Sequence, residues 1–310
     1  MFFELLIGMI PLFVLMVCGW VLGKQGNVTP HAMADILIHI ISPFVTFGAI
    51  AQLEFSQEYI LLPFITAIIA GIASFTAWRI SDYFFKDTTP NLIGLSCVAG
   101  NITYFALPIL MMLLPVKWVG VYFMMRMGLQ LTEMTQGYYI GARGNFNITQ
   151  SLYKIITFPP LYGAILGLLW NVSDMELPKL VVTYWNYALG AVVFIGMMLI
   201  GTALSLIKSF YIDKKMLIIL MVMRFMVWPV LCISFIILDK MVLHIFSNDI
   251  YIMFTLLGLV PLPVNSIAYA IKLKLDATAM SICVLISTVF ALIYVPVMLW
   301  ILEYIGFIHI

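Results

Sequence analysis

Apolar residues dominate this chain in ten long runs, each about twenty residues long and bounded by short polar or Pro/Gly clusters. Runs of this length match the helical length that crosses the hydrocarbon core of a bilayer, so they predict ten transmembrane helices. The predicted spans are residues 2–23, 31–53, 58–80, 91–114, 117–140, 153–171, 178–204, 215–237, 249–271 and 278–301. Spans four and nine are the least regular, because Pro108, Pro261 and Pro263 fall where a continuous helix would run.

Composition supports the same fold class. Hydrophobic residues make up 64% of the chain and charged residues 9%, against roughly 45–50% and 25% in soluble domains, and the mean hydropathy is +1.12. In 310 residues, ten spans leave no stretch for a separate soluble domain. We therefore expect an all-α membrane protein surrounded by the lipid bilayer. The net charge of the chain is only +1, so it offers no basic surface for nucleic acid.

The distribution of Lys and Arg predicts the orientation in the membrane. With the N-terminus outside, ten of the fifteen basic residues fall on the inner side and three on the outer side, which is a strong positive-inside bias. The inner residues are Lys24, Arg79, Lys86, Arg143, Lys154, Lys208, Lys214, Lys215, Lys272 and Lys274, and the outer ones are Lys117, Lys179 and Lys240. We expect a multi-pass protein of a bacterial inner (cell) membrane with both termini extracytoplasmic.

An internal repeat relates the two halves of the chain. Four Pro and Gly positions of the first half recur in the second half at one constant offset of 148 residues. The pairs are Pro11 with Pro159, Gly19 with Gly167, Pro30 with Pro178 and Gly48 with Gly196. An odd number of spans in each half inverts the second copy, as in many secondary transporters. We expect two inverted five-helix repeats, residues 1–145 and 146–310, with spans four and nine in corresponding positions.

Spans four and nine both combine proline with amide and hydroxyl side chains at membrane depth. Proline removes a backbone donor, and irregular backbone survives at that depth only where it faces protein or a watery cavity. Two such segments predict broken helices that cross and direct their positive N-terminal ends at an anion; simple proline kinks are the alternative. The candidate substrate-binding residues are Asn101, Thr103, Tyr104, Pro108, Pro261, Pro263, Asn265 and Ser266.

Two arginines fall near the centres of spans five and eight, where a charge costs about 2.5–3.5 kcal/mol. Gln130 and Glu133 follow Arg126 at i+4 and i+7 and share its helix face. Arg126 and Arg224 are candidates for holding a carboxylate, with Gln130 beside them and Glu133 as a proton-carrying or balancing group. For Arg126, an Arg–Glu pair that locks helices together is an equal alternative. Arg224 has no acid on its own helix, which favours a ligand role.

Other chemistry finds no support in the sequence. His31, His244 and His309 are scattered, and the four cysteines form no CxxC pair, so neither a metal site nor a disulfide framework is expected. A GxxxxGK[ST] phosphate loop is missing from the sequence, and so is a cluster of nucleophile, acid and base at one depth. We expect no cofactor, no metal and no enzymatic activity.

Several stretches carry a family resemblance that runs along essentially the whole chain. They are residues 11–19 with Pro43, 101–108, 224–229, 261–266, and Ser287-Thr288 with Pro296. With these stretches the chain resembles the auxin efflux carrier family, which includes plant PIN carriers and bacterial malate permeases. The family usually has glycine at two positions of span four where this sequence has Thr103 and Ala106.

The resemblance implies a scaffold of spans 1, 2, 6 and 7 and a moving transport domain of spans 3–5 and 8–10. It also implies elevator-type alternating access, with substrate near Asn101, Pro108, Pro261 or Pro263, and Asn265. The expected function is a permease or efflux carrier for a small organic anion such as malate or another carboxylate. The alternatives are a sodium-coupled symporter of the bile-acid-carrier type, a channel or a sensory membrane protein. Coupling to protons or sodium ions and a homodimer are left open.

Overall fold

The computed structural model describes residues 2–26, 28–53, 56–142, 159–173, 175–205 and 213–309. Every regular element within these ranges is a helix, so the predicted all-α class is confirmed. The predicted boundary between the two halves, at residues 145 and 146, lies outside the described residues. The same holds for the basic residues Arg143, Lys154 and Lys208.

The described part of the chain contains fifteen α-helices. Those of the first half are α1 (Phe2–Lys24), α2 (Pro30–Ile36), α3 (Ser42–Ala51), α4 (Leu61–Asp82), α5 (Thr89–Ser96), α6 (Leu107–Leu113), α7 (Val119–Thr132) and α8 (Tyr138–Ala142). Those of the second half are α9 (Pro159–Val172), α10 (Lys179–Ser205), α11 (Lys214–Val222), α12 (Trp228–Leu238), α13 (Asn248–Leu259), α14 (Asn265–Lys272) and α15 (Ala277–Tyr304). Single π-helical turns are found at Leu37–Ile41, Ile102–Ala106, Glu133–Gly137, Met223–Val227 and Asp239–Leu243.

Four continuous helices are long and apolar enough to cross a membrane, judged by length and composition. They are Glu58–Asp82, Lys179–Ser205, Lys214–Leu243 and Ala277–Tyr304. These helices agree with the third, seventh, eighth and tenth predicted spans to within three residues at either end, except that the eighth continues six residues beyond its predicted end. Large apolar side chains such as Phe64, Ile218 and Ile293 are exposed on them, as expected for surfaces that contact lipid. The protein is therefore compatible with a multi-pass membrane location.

Close helix pairs hold the two halves together. Helix α1 packs along α10, and α3 packs along α9. Both contacts use glycine, which lets transmembrane helices approach closely. A β-carbon on Gly19 would lie 2.1 Å from the carbonyl oxygen of Met198, and one on Gly167 would lie 2.7 Å from that of Phe47. Helix α4 packs against α5 and α7, and α12 packs against α13.

The fourth and ninth predicted spans are both interrupted. Helix α5 ends at Ser96, and helical structure resumes at Ile102. Helix α13 ends at Leu259, and α14 begins at Asn265. The non-helical residues between them, 97–101 and 260–264, are all buried. We call these two segments the first break and the second break.

The prolines differ in their relation to the breaks. Pro261 and Pro263 lie in the second break, but Pro108 lies in the first turn of α6. The expected interruption at Pro108 is not observed, because the helix runs continuously over Ile102–Leu113. A π-helical turn precedes the proline, with the N–H of Ala106 donating to the carbonyl oxygen of Asn101 at 3.1 Å. Widening of the turn makes room for the proline ring within the helix.

Candidate ligand site

The two breaks contact each other directly. The backbone N–H of Asn101 donates to the carbonyl oxygen of Pro261 at 2.8 Å. One residue further on, the N–H of Leu262 donates to the hydroxyl oxygen of Ser287 at 3.2 Å. Both breaks are buried, so the backbone groups that leave a helix there must find their hydrogen-bond partners within the protein. Here the first break supplies a hydrogen-bond donor to a carbonyl group of the second break.

The helix ends that lead into the breaks are held by two side chains of the eighth predicted span. The indole Nε1 of Trp228 donates to the carbonyl oxygen of Cys97 at 2.8 Å. Arg224 donates from Nε to Val260 and from Nη2 to Leu257, both at carbonyl oxygens. The C-terminal end of a helix carries partial negative charge, which a guanidinium both balances and hydrogen-bonds. Arg224 is fully buried and satisfies carbonyl groups at the C-terminal end of α13 in this way.

The helices that follow the breaks begin at two asparagines. The side-chain oxygen of Asn101 accepts from the N–H of Tyr104 at 3.2 Å and so caps the helix that leads into α6. Asn101 is 3% exposed, yet its Nδ2 has no hydrogen-bond partner among the described residues. Asn265 is the first residue of α14. Two helix beginnings with partial positive charge therefore lie at the breaks, together with an unused amide donor.

A cavity of about 150 Å³ lies beside the breaks. A cavity of about this volume can hold a ligand of the size of benzene. Its walls come from the two breaks, the residues that follow them and one face of α7. Eight of the twelve site residues predicted from the sequence line it: Asn101, Thr103, Tyr104, Arg126, Gln130, Glu133, Pro263 and Asn265.

The charged side chains of the cavity are not paired with each other. Arg126 donates from Nε to the hydroxyl of Thr103 at 2.8 Å. The Oε2 of Glu133 lies 3.4 Å from the amide nitrogen of Gln130, which is long for a hydrogen bond. Within the described part of the chain, no ion pair joins Arg126 to Glu133. The alternative in which these two residues lock together is not formed in this structure, and both face the cavity.

The other four predicted site residues do not line this cavity, as far as the described residues show. Pro261 contributes its carbonyl oxygen to the contact between the breaks. Ser266 donates its hydroxyl to the carbonyl oxygen of Pro263 at 2.6 Å. Arg224 serves the end of α13, and Pro108 lies in the first turn of α6.

Some residues at the site are not predicted by the sequence analysis. Tyr269 and Ile38 also line the cavity, and the hydroxyl of Tyr122 donates to the carbonyl oxygen of Ile102 at 2.7 Å. Tyr269 follows Asn265 by four residues on one helix, so helical spacing could have indicated it. Ile38 comes from the second predicted span, and no pattern in the sequence indicates its contact with the breaks.

The fold and the site define a class of protein. It is an all-α protein with several helices that can cross a membrane, and it has a polar cavity beside two interrupted helices. The described residues include no group of three or more His, Cys, Asp or Glu side chains that could hold a metal ion. No family model matches the chain, and no curated protein matches its sequence.

Proposed function

We propose that this protein is a secondary transporter that carries a small organic anion, such as malate or another carboxylate, across a bacterial inner membrane. The observation that carries this proposal is the contact between the two breaks beside a polar cavity, where the N–H of Asn101 meets the carbonyl oxygen of Pro261. Interrupted helices in corresponding positions of two halves form the mid-membrane binding sites of many secondary transporters.

The groups at the cavity favour an anionic ligand. The helices that begin at Asn101 and Asn265 present their positive ends there. The terminal nitrogens of Arg126 have no protein partner among the described residues, since its side-chain hydrogen bond to Thr103 uses Nε. A guanidinium group binds a carboxylate through two parallel hydrogen bonds, which fixes both position and orientation.

Helix packing supports ten spans in two inverted repeats. The first span packs on the seventh and the second on the sixth, through α1 with α10 and α3 with α9. In two five-helix repeats the first span corresponds to the sixth and the second to the seventh, so each of these contacts is the counterpart of the other. Gly19 lies against Met198, and Gly167 lies against Ile50. Each residue of the first contact differs from its counterpart in the second by 148, which is the offset of the sequence repeat.

The position of the cavity favours elevator-type alternating access. Ile38, from the proposed scaffold of spans 1, 2, 6 and 7, lines the cavity together with residues of spans four, five and nine. The cavity therefore lies where the proposed transport domain faces the scaffold. Movement of one against the other would open it to each side in turn. We extend the proposal to membership of the auxin efflux carrier family and to extracytoplasmic termini, on the sequence resemblance and the charge distribution.

Flux measurements on purified protein in liposomes test this proposal. We expect saturable counterflow of labelled malate or another small carboxylate. Asn101→Ala should lower it by roughly tenfold or more, because a hydrogen bond to a charged group contributes about 1.5–3 kcal/mol. Asn186→Ala is the matched control, since Asn186 is exposed and donates to the carbonyl oxygen of Val182 within its own helix.

Other results would exclude the proposal or assign the protein to another class of membrane protein. If no organic anion is carried under an imposed gradient, the proposal is wrong. Flux that does not saturate with concentration would indicate a channel. Flux that requires sodium would indicate the sodium-coupled symporter.

A further inference from the structure

The cavity is lined by one side chain of each charge, and the two are not in contact with each other. Arg126 and Glu133 both line it, and no ion pair joins them in the part of the chain that the structure describes. Seven residues of helix separate them by about 10 Å along the axis. A ligand that lies along this face of the helix can therefore contact both.

Charge balance narrows the class of ligand. A guanidinium group stays protonated in proteins, so Arg126 and an ionised Glu133 together contribute no net charge to the cavity. With Glu133 ionised, a dicarboxylate would leave two uncompensated negative charges there and a simple monocarboxylate would leave one, a cost that only protonation of the Glu133 carboxylate could reduce. Burial of an uncompensated charge is costly, whereas burial of a paired charge is tolerated. A ligand with one carboxylate and one ammonium group leaves the cavity neutral.

The polar groups are also arranged for such a ligand. The free nitrogens of Arg126, the buried Nδ2 of Asn101 and the beginning of α14 can donate to a carboxylate. At the other end, Glu133 has an oxygen, Oε1, with no protein partner among the described residues. Tyr104 and Tyr269 also line the cavity, and tyrosine has a phenol oxygen that can accept from an ammonium group. The volume of about 150 Å³ restricts the ligand to a small one.

We infer that the cavity binds a small zwitterionic α-amino acid, with its carboxylate at Arg126 and its ammonium group at Glu133. This inference rests on the proposed function and narrows it: of the carboxylates considered there, it selects one that also bears an ammonium group and disfavours a dicarboxylate such as malate. Glu133 acts in it as the residue that selects an ammonium group next to the carboxylate.

Three ligands that differ only in the group on the second carbon test the inference: L-alanine, L-lactate and propionate. Binding to the purified protein is measured by calorimetry at neutral pH. We expect L-alanine to bind roughly tenfold or more tightly than propionate, because a charge-assisted hydrogen bond contributes at least about a factor of ten in affinity. L-Lactate, which offers a neutral donor, should lie between them.

Glu133→Gln keeps the size of the side chain but removes its charge. We expect it to abolish the preference for L-alanine while propionate binds as well as before or better. Glu176→Gln, at an exposed position outside the cavity, should leave the order of the three ligands unchanged. If Glu133→Gln does not fold, the ligand series on the unaltered protein still decides the question.

The failure of this inference is distinct from the failure of the proposed function. Propionate or L-lactate binding as tightly as L-alanine would overturn the inference alone, because Glu133 would then be accommodated without a cationic partner. If neither these three ligands nor any other small carboxylate binds in the same assay, the transport proposal is overturned as well.

Discussion

The two buried arginines show how the same residue type serves different purposes in one protein. Arg224 directs two donors to the carbonyl oxygens of Leu257 and Val260. Arg126 directs one donor to the hydroxyl of Thr103 and keeps its terminal nitrogens at the cavity. The sequence favours a ligand role for Arg224, which has no acid on its own helix, but a charge within an apolar span indicates only that some partner exists. The identity of the partner separates a helix-holding residue from a candidate ligand-binding one.

Replacement of each arginine by lysine should separate these roles. Arg224→Lys keeps the charge, but one ammonium group cannot reproduce the fork that reaches two carbonyl oxygens. We expect a loss of about 1.5–3 kcal/mol in stability, seen as a lower melting temperature in detergent. Arg126→Lys should change the melting temperature less but weaken carboxylate binding more. The reverse pattern would show that Arg224 is the residue that meets the ligand.

Proline positions account for three of the π-helical turns. Each of these turns is followed, two residues after its last residue, by a proline. The pairs are Leu37–Ile41 with Pro43, Ile102–Ala106 with Pro108, and Met223–Val227 with Pro229. Proline has no N–H and crowds the carbonyl group four residues before it, so the helix widens there. Before Pro229 that carbonyl belongs to Phe225, and the hydroxyl of Tyr294 donates to it at 2.7 Å.

A double-mutant cycle tests whether Tyr294 replaces the donor that Pro229 lacks. Tyr294→Phe should cost about 0.5–1.5 kcal/mol in stability, the usual contribution of one hydrogen bond. In a Pro229→Ala background the same substitution should cost almost nothing, because the alanine N–H can then donate to the carbonyl oxygen of Phe225. Equal costs in the two backgrounds, measured by chemical unfolding in detergent, would show that the hydroxyl has no such role.

Helix positions can be predicted wherever apolar length decides them. The helices Glu58–Asp82 and Ala277–Tyr304 agree closely with the spans expected at 58–80 and 278–301. The place of the first break cannot be found in this way, because Pro108, the proline of this span, lies within the helix that follows the break. The break depends on partners from distant segments, such as Trp228, which local sequence does not reveal.

For the protein as a whole, much of the candidate site follows from one rule. Polar and charged residues in apolar spans face the interior, so Asn101, Arg126, Glu133 and Asn265 are expected near each other, and all four line one cavity. The sequence does not predict that Arg126 and Glu133 form no ion pair, or that Ile38 lines the cavity. Both depend on how separate spans are placed against each other, and hydropathy contains no information about that.

Accessibility of the second break from the two sides of the membrane tests the central claim most directly. Val264 lines the cavity but contributes no polar side chain to it, so Val264→Cys is a suitable reporter. Of the natural cysteines, Cys18 is exposed and the other three are buried, and the unaltered protein measures their background. We predict that an impermeant maleimide labels Val264→Cys from either side of oriented vesicles, and that a bound small carboxylate slows labelling from both. Labelling from one side only, at a rate that no carboxylate changes, would contradict the account.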